Sequence, residues 1–123
     1  MTKQRQQFAR QSESDAARIL KRQGYKIIEQ NYRTRFGEID IIAKENDTIV
    51  FVEVKARRGR NYGHAKWAIT PKKQKKVSMV ALHYLKATGQ SQAKARFDVV
   101  TIHSENEAPQ IEIIKNAFEL AYG

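Results

Sequence analysis

The sequence predicts an α/β fold in which helices flank a mixed central sheet, and three observations support this prediction. Helical and strand patterns follow one another in the order α, β, β, β, α, β, with a small β/α tail. The chain has 123 residues, about the length of one domain. No repeat, low-complexity segment or Pro/Gly-rich linker divides it. Residues 1–123 are therefore expected to form a single domain.

The first two predicted elements are a helix and a strand. Residues 4–23 carry apolar side chains at helical spacing from Phe8 to Leu20, and Gly24 follows as a C-terminal stop. Residues 25–33 are rich in aromatic and β-branched side chains, which are typical of a strand.

Residues 37–55 predict a β-hairpin. Two apolar, β-branched segments flank Asn46-Asp47, and both of these residue types tolerate positive φ angles. A two-residue loop at this point pairs Glu45 with Thr48. A three-residue loop would slip the register by one residue, so the predicted pairing depends on the turn.

The predicted register gives the hairpin one charged face and one apolar face. Asp40 lies opposite Glu53, and Glu38 lies opposite Lys55. Directly opposed side chains point to the same face, and side chains alternate along each strand. The apolar face is expected to be the core. Its residues are Ile39, Ile41, Ala43, Val50, Val52 and Val54.

The second helix is predicted to begin with Thr70 as N-cap and Pro71 as its first residue, and to end at Gly89. Four lysines occupy its first turns, where acidic side chains would be favourable by ~0.3–1 kcal/mol each. A negatively charged partner is therefore expected at this end. Lys73 lies four residues before the apolar Val77, so it should project towards the sheet. The lysines are Lys72, Lys73, Lys75 and Lys76.

The remaining segments predict a short C-terminal part of the sheet. Residues 96–102 predict a strand, and residues 111–123 predict a short strand with a terminal helical turn. Asp98 lies inside the first of these strands. It is explained equally well as an ion-pair partner of Arg96 and as a catalytic group.

The charge distribution indicates two kinds of partner. The formal net charge is +10, and an excess of this size attracts polyanions such as nucleic acid. Residues 55–76 carry nine basic side chains and no acidic one, whereas residues 37–54 carry five acidic side chains and one basic one. Because carboxylates beside phosphates weaken a nucleic-acid contact, the acidic segment is expected to bind a cation of its own.

The composition also excludes some classes of protein. The chain has no cysteine, which excludes disulfides and thiolate metal sites. No apolar run approaches the ~20 residues of a membrane-spanning helix, and the N-terminal segment lacks the apolar stretch of a signal peptide. A cytoplasmic protein is therefore expected.

Asp40 and Glu53 are the candidate catalytic carboxylates. Opposed carboxylates repel each other unless one is protonated or a cation bridges them. Oxygen ligands of this kind suit Mg²⁺ or Mn²⁺, which also bind a phosphate of the substrate. Lys55, on the same face, is expected to activate water and to stabilise developing charge. The set predicts a phosphodiester hydrolase, although charges on one open face of an antiparallel sheet also occur without a function.

Four segments resemble the YraN family of small bacterial proteins, which belong to the PD-(D/E)xK, restriction-endonuclease-like superfamily. The resemblance runs from about residue 8 to residue 118 and implies an αβββαβ core of the restriction-endonuclease-like kind. The segments are NYRTRFG (31–37), GEIDIIA (37–43), VFVEVKAR (50–57) and RFDVV (96–100).

The resemblance implies a metal site on the hairpin. Asp40, Glu53 and the backbone carbonyl of Val54 would bind Mg²⁺ or Mn²⁺, and Lys55 would assist hydrolysis of a nucleic-acid phosphodiester. These are the residues that the charge pattern also selects. No proline precedes the aspartate in this chain, which is usual for these proteins.

The resemblance also implies two supporting residues. Glu13 matches an acid in the first helix that some members of the superfamily use, although Ser12 stands before it where related sequences tend to have glycine. Lys73-Gln74 matches the Lys-Gln pair that follows the motif. Glu13 and Gln74 are therefore expected to support catalysis.

Together these observations predict a Mg²⁺- or Mn²⁺-dependent endonuclease that acts on DNA, with branched or flapped DNA as the expected substrate and a homodimer as the expected assembly. DNA binding is expected to be salt-dependent with little sequence readout. The first alternative is a non-catalytic DNA- or RNA-binding module that keeps the nuclease fold. The second alternative is an RNA-binding or RNA-processing protein. The expected phosphate-binding residues are Arg57, Arg58, Arg60, Lys72, Lys73 and Lys76.

Overall fold

The structure, a computed structural model, describes residues 3–58, 69–104 and 109–120. These residues form two helices and five strands, which confirms the predicted α/β fold with an αβββαβ core. Neither helix of the described residues has the length and apolar character needed to cross a membrane. The elements are α1 (Lys3–Arg22), β1 (Lys26–Thr34), β2 (Gly37–Glu45), β3 (Thr48–Arg58), α2 (Pro71–Ala87), β4 (Lys94–Ser104) and β5 (Pro109–Phe118).

The five strands form one mixed sheet in the order β1-β2-β3-β4-β5. Neighbouring strands are antiparallel except for β3 and β4, which are parallel. A parallel pair requires a crossover connection, and α2 lies within the segment that joins β3 to β4. The prediction of a mixed sheet flanked by helices is confirmed.

The β2–β3 turn sets the predicted register. Asn46 has a φ of +55°, and Glu45 pairs with Thr48 as expected for a two-residue loop. The ladder continues in this register as far as the pair Ile41–Val52. The register prediction is therefore confirmed over the part of the hairpin next to the turn.

Beyond this pair the two strands separate, so the predicted direct pairing of Asp40 with Glu53, and of Glu38 with Lys55, does not form. The Asp40 side chain takes the place of a ladder bond, because its Oδ2 atom accepts a hydrogen bond from the Val54 backbone N–H at 2.8 Å. The two strands therefore form a fork, whose open end carries Glu38 and Asp40 of β2 and Glu53 and Lys55 of β3.

The sheet has a hydrophobic core on each face, whereas the sequence predicted one apolar face. The α1 core contains the predicted Ile41, Ala43, Val50 and Val52, with Val54 partly buried against it. Ile39 packs on the opposite face of the sheet, in the core that α2 covers. The β2–β3 ladder ends at Ile41, so the alternation of faces counted from the turn no longer applies at Ile39. The α2 core consists of Ile39, Ile42, Ile49, Phe51, Val77, Val80, Ala81, Tyr84, Leu85 and Phe97.

Both ends of α2 agree with the sequence prediction. The Thr70 hydroxyl accepts a hydrogen bond from the Lys73 backbone N–H at 3.1 Å, and Pro71 is the first helical residue. Gly89 follows the helix with a φ of +69°.

The predicted terminal helical turn is wrong over the residues that β5 includes, because this strand continues to Phe118. Two contacts hold its end in the sheet. The Asn116 backbone N–H donates to Asp98 Oδ1 at 2.9 Å, and the Phe118 ring stacks on Phe97 at 4.6 Å. Residues 121–123 lie outside the described part of the chain.

Candidate active site

Asp40 is held at the opening of the fork. It is partly buried, and the Val54 N–H donates to its Oδ2 atom at 2.8 Å. Burial raises the pKa of Asp40, and the Glu38 charge raises it further. The hydrogen bond from Val54 and the positive charges of Lys73 and Lys55 oppose this increase.

Glu53 lies close to Asp40 in a more buried position. Its residue surface is 8% exposed. Burial and the negative charge of Asp40 raise the pKa of Glu53 to about 7, against the opposing charges of Lys73 and Lys55. The two carboxylates are therefore neighbours on the fork, as the sequence predicted, although their strands are no longer paired there.

Lys55 and Lys73 approach the carboxylates from different elements. Lys55 follows Glu53 by two residues on β3 and therefore shares its face of the strand. Lys73 comes from the first turns of α2, and its Nζ atom lies 3.7 Å from Glu53 Oε1. The expectation that Lys73 projects towards the sheet is confirmed, since it contacts a carboxylate there.

Glu13 reaches the same site from α1. Burial raises the pKa of Glu13, and so do the negative charges of Asp40 and Glu38, while Arg33 lowers it. The first helix thus supplies an acidic side chain beside Asp40, at the residue that the family resemblance selected.

The donor atoms suit a hard divalent cation. Among the described residues, no group of three or more His, Cys, Asp or Glu side chains is arranged to hold a metal ion. The candidate ligands are the carboxylates of Asp40 and Glu53 with the backbone carbonyl of Val54. Mg²⁺ and Mn²⁺ bind through one or two carboxylates and complete their coordination with waters and substrate oxygens, so these residues fit such an ion.

Gln74 does not donate to the carboxylates. Its Nε2 atom donates to the Ile69 carbonyl at 2.8 Å, and its backbone N–H donates to the Thr70 carbonyl at 2.8 Å. The side chain therefore fixes the segment that leads into α2, on the same helix turn as Lys73.

Three of the other predicted phosphate-binding residues are described. Lys72 and Lys76 are exposed on α2, and Arg57 is half-buried near the end of β3, where its Nη1 atom donates to the Ala56 carbonyl at 2.8 Å. The side chain of Arg58 and the whole of Arg60 lie outside the described residues.

Sequence reasoning gave no role to Glu38 and Arg33, which border the site. Arg33 Nε donates to Glu38 Oε2 at 2.9 Å, and both side chains are exposed. The charge of Glu38 raises the pKa of Asp40, Glu53 and Glu13. The signal in the sequence was an acidic residue two positions before Asp40, on a strand whose neighbours are apolar.

Asp98 has a different environment. It is fully buried, and its carboxylate accepts hydrogen bonds from Arg96, from the Tyr25 hydroxyl at 2.8 Å and from the Asn116 backbone N–H. The Arg96 Nε atom lies 3.0 Å from Asp98 Oδ1. Of the two explanations that the sequence allowed, the structure supports the ion pair with Arg96.

The sequence matches the model of uncharacterised protein family UPF0102 over residues 12–102. The chain belongs to this family, the YraN family. The matched range includes Glu13, Asp40, Glu53, Lys55 and Gln74, so every residue proposed above for catalysis lies inside the UPF0102 region.

Curated relatives match most of the chain. A UPF0102 protein of Desulfosudis oleivorans is 53% identical over 119 residues, which are 97% of this chain and 95% of the relative. A UPF0102 protein of Syntrophus aciditrophicus is 54% identical over 111 residues, which are 90% of this chain and 87% of the relative. A solved structure of Pyrococcus furiosus SfsA in complex with Ca²⁺ is similar at a TM-score of 0.36 and 16% identity, over 78% of this chain and 56% of that chain.

Proposed function

We propose that this protein is a Mg²⁺- or Mn²⁺-dependent endonuclease that hydrolyses phosphodiester bonds in DNA, with branched or flapped DNA as its substrate. The observation that carries the proposal is the fork between β2 and β3. At the fork Asp40 and Glu53 lie close together with raised pKa values, and Lys55 of β3 and Lys73 of α2 lie near them. A divalent cation would neutralise the two carboxylates and attract a phosphate.

In this proposal Asp40, Glu53 and the Val54 carbonyl hold the metal ion. When bound, the ion polarises a phosphoryl oxygen and lowers the pKa of a coordinated water. The Val54 N–H fixes the Asp40 carboxylate in place at 2.8 Å, so that the site exists before the substrate arrives.

Lys55 acts on the reacting phosphate. A water oxygen bonds to phosphorus, one P–O ester bond breaks, and a phosphate monoester and an alcohol are released. The Lys55 ammonium group orients the attacking water and stabilises the negative charge that develops on the phosphoryl oxygens. Glu13 contributes a further carboxylate beside Asp40, and Gln74 positions the start of α2 through its bond to the Ile69 carbonyl.

DNA binding is assigned to the basic side chains of residues 57–60 in the sequence and to those in the first turns of α2. Contacts between these side chains and phosphates give an affinity that falls with salt and depends little on sequence. A homodimer would place two forks on one branched substrate, and sedimentation of the protein with and without DNA tests that assembly. The residues are Arg57, Arg58, Arg60, Lys72, Lys73 and Lys76.

The test is a cleavage assay on labelled flapped, branched and linear DNA with Mn²⁺, Mg²⁺ or EDTA, beside a binding assay in EDTA. Wild-type protein should cleave only with the metal. Asp40→Asn, Glu53→Gln and Lys55→Ala should each lose at least a hundredfold in rate and still bind DNA. Glu112→Gln, which changes an exposed acid on β5, is the matched control and should cleave normally.

Binding by all variants with cleavage by none, wild type included, would establish the non-catalytic DNA-binding module instead. An RNA substrate in the same salt tests the RNA-processing alternative. Faster cleavage of RNA than of DNA would replace the proposed substrate.

A further inference from the structure

An aromatic patch lies between the β1–β2 turn and the outer face of α2. It consists of Tyr32, Phe36 and His83. The Phe36 and His83 ring centroids are 6.5 Å apart at an interplanar angle of 62°, and the Tyr32 and His83 centroids are 6.4 Å apart. The Arg35 guanidinium lies 4.9 Å from the centroid of the Phe36 ring. His83 and Arg35 are exposed, and the other two side chains are half-buried.

The turn that presents Phe36 has a defined conformation. The Phe36 backbone N–H donates to Thr34 Oγ1 at 3.0 Å. Gly37 has a φ of +141°, a conformation that other residues rarely adopt. The Phe36 ring also packs against the α2 core, so its orientation is fixed before any ligand binds. A fixed aromatic ring loses little conformational freedom when a ligand stacks on it.

The aromatic patch is within a few nucleotides of the candidate active site. Phe36 precedes Asp40 by four residues along an extended segment, which spans at most about 14 Å at ~3.4 Å per residue. Along α2, His83 lies about 15 Å from Lys73 at 1.5 Å per residue. A DNA strand rises ~3.4 Å per nucleotide, so one strand bound at the fork reaches the patch after about four nucleotides.

We propose that Phe36, His83 and Arg35 form a stacking site for an unpaired base of the DNA strand that is bound at the fork. Proteins bind single strands by pairing aromatic rings, on which bases stack, with cations that contact the phosphates. Phe36 and His83 supply the rings. Arg35 at the Phe36 ring and the exposed Lys76, two turns before His83 on α2, supply positive charge. The base replaces or extends the contact that the Arg35 guanidinium makes with the Phe36 ring.

This site rests on the proposed function and specifies its substrate. A base inside a duplex is already stacked on its neighbours and cannot occupy the patch, whereas a base in a flap, gap or overhang can. The protein should therefore bind DNA that has unpaired nucleotides a few positions from the scissile phosphate more tightly than fully paired DNA.

The experiment measures DNA binding by fluorescence anisotropy in EDTA, so that it does not depend on cleavage. The probes are a fluorescein-labelled duplex with an unpaired thymidine overhang and a blunt duplex of the same length. Phe36→Leu keeps an apolar side chain and removes the ring, and should weaken overhang binding about tenfold while leaving blunt-duplex binding unchanged. His83→Leu, at an exposed position, should act in the same direction with a smaller effect.

Phe118→Leu is the matched control, since it removes another half-buried phenylalanine that packs against the same core. It should lower the thermal midpoint without changing the preference for the overhang. Equal binding of both probes by wild type, or equal losses on both probes in Phe36→Leu and His83→Leu, would overturn the stacking site and leave the nuclease proposal standing. Failure of wild type to bind either probe would overturn both, and binding without cleavage would overturn only the nuclease proposal.

Discussion

Asp98 and Glu53 are buried carboxylates on neighbouring strands, yet their surroundings differ. Asp98 accepts hydrogen bonds at 2.8 to 3.0 Å from Tyr25, Arg96 and the Asn116 backbone. Among the described residues Glu53 accepts no hydrogen bond, and it forms an ion pair with Lys73 at 3.7 Å. The first carboxylate is fully paired within the fold, whereas the second is incompletely paired within the part of the chain that the structure describes.

The network around Asp98 balances its own charges. Arg96 also donates to Glu45 Oε1 at 2.6 Å, and Lys115 lies 3.0 Å from the other Glu45 oxygen. Hydrogen bonds from Arg96 and Lys115 lower the pKa of Glu45, which keeps it ionised. Two acids and two bases thus neutralise one another, with the Tyr25 hydroxyl as a further donor.

At the fork the balance is different, because acidic charges from two strands and α1 meet two lysines. Burial, together with this excess of negative charge, raises the pKa of Asp40, Glu53 and Glu13. Burying charge without full pairing costs free energy. Shifted pKa values that arise from burial together with neighbouring charges cluster at functional sites. The comparison separates a structural ion network from the proposed cation site, although both contain Asp, Glu and Lys side chains.

Arg96→Met should have the largest effect on stability. The change leaves Asp98 buried without its cation, and breaking a buried ion pair from one side costs about 3–5 kcal/mol. Urea unfolding at pH 7 measures the loss. Lys94→Met, which removes the exposed pair with Asp47, is the control and should leave the midpoint almost unchanged. Equal effects of the two changes would contradict the structural role of the Arg96 network.

The stability of the metal-free protein should fall as pH rises from about 4.5 to about 7. Because the pKa of Glu53 is raised in the fold, the folded state holds this proton more tightly than the unfolded chain and loses the advantage when Glu53 ionises. The loss is on the order of 3 kcal/mol.

Thermal unfolding in EDTA across this pH range measures the effect. Glu53→Gln removes the titrating group, so its melting temperature should vary less with pH and exceed that of wild type at pH 7.5. A wild-type profile that rises over this range, or an unaltered slope in the variant, would be inconsistent with a protonated Glu53 in the fold.

Mn²⁺ should stabilise the wild-type protein at pH 7.5. A ligand at a hundred times its Kd stabilises the folded state by about 2.7 kcal/mol. Differential scanning fluorimetry with increasing Mn²⁺ measures the shift, which should be absent in Asp40→Asn and retained in Glu45→Gln. A Mn²⁺-induced thermal shift that is lost in Glu45→Gln and retained in Asp40→Asn would contradict the proposed site, because it would place the cation at Glu45.

Lys73→Met should have the smallest effect. Removing the charge 3.7 Å from Glu53 should raise the pKa of this carboxyl further. The decrease in the free energy of unfolding with rising pH should therefore extend to higher pH than in wild type. At pH 7.5 the change in unfolding free energy should stay below ~1 kcal/mol, because Lys73 is partly exposed. Lys72→Met, at the exposed neighbouring position, should leave the pH profile unchanged.

The sequence predicted that Asp40, Glu53 and Lys55 lie near one another, and the structure agrees in this respect. Asp40, Glu53 and Lys55 were identified from their spacing on a hairpin, and the turn at Asn46 set the register that brings the strands together. The direct pairing of the two carboxylates was wrong, because no local rule shows that the Asp40 side chain will take the Val54 N–H from the ladder.

Other errors have the same origin. Ile39 packs against α2 because the β2–β3 ladder ends before this residue. The end of β5 remains a strand because Asn116 and Phe118 contact β4. Each of these outcomes depends on a neighbour that is distant in the sequence. Periodicity describes a segment alone and carries no information about such contacts.

The sequence alone determined the order of helices and strands up to the start of β5, the N-cap at Thr70 and the turn at Asn46, because these depend on residues next to one another along the chain. Only the tertiary structure decided which carboxylates are fully paired, since Tyr25 and Asn116, which donate to Asp98, and Lys73, which lies beside Glu53, come from other elements of the fold. Charge compensation depends on distance in space, and folding sets that distance.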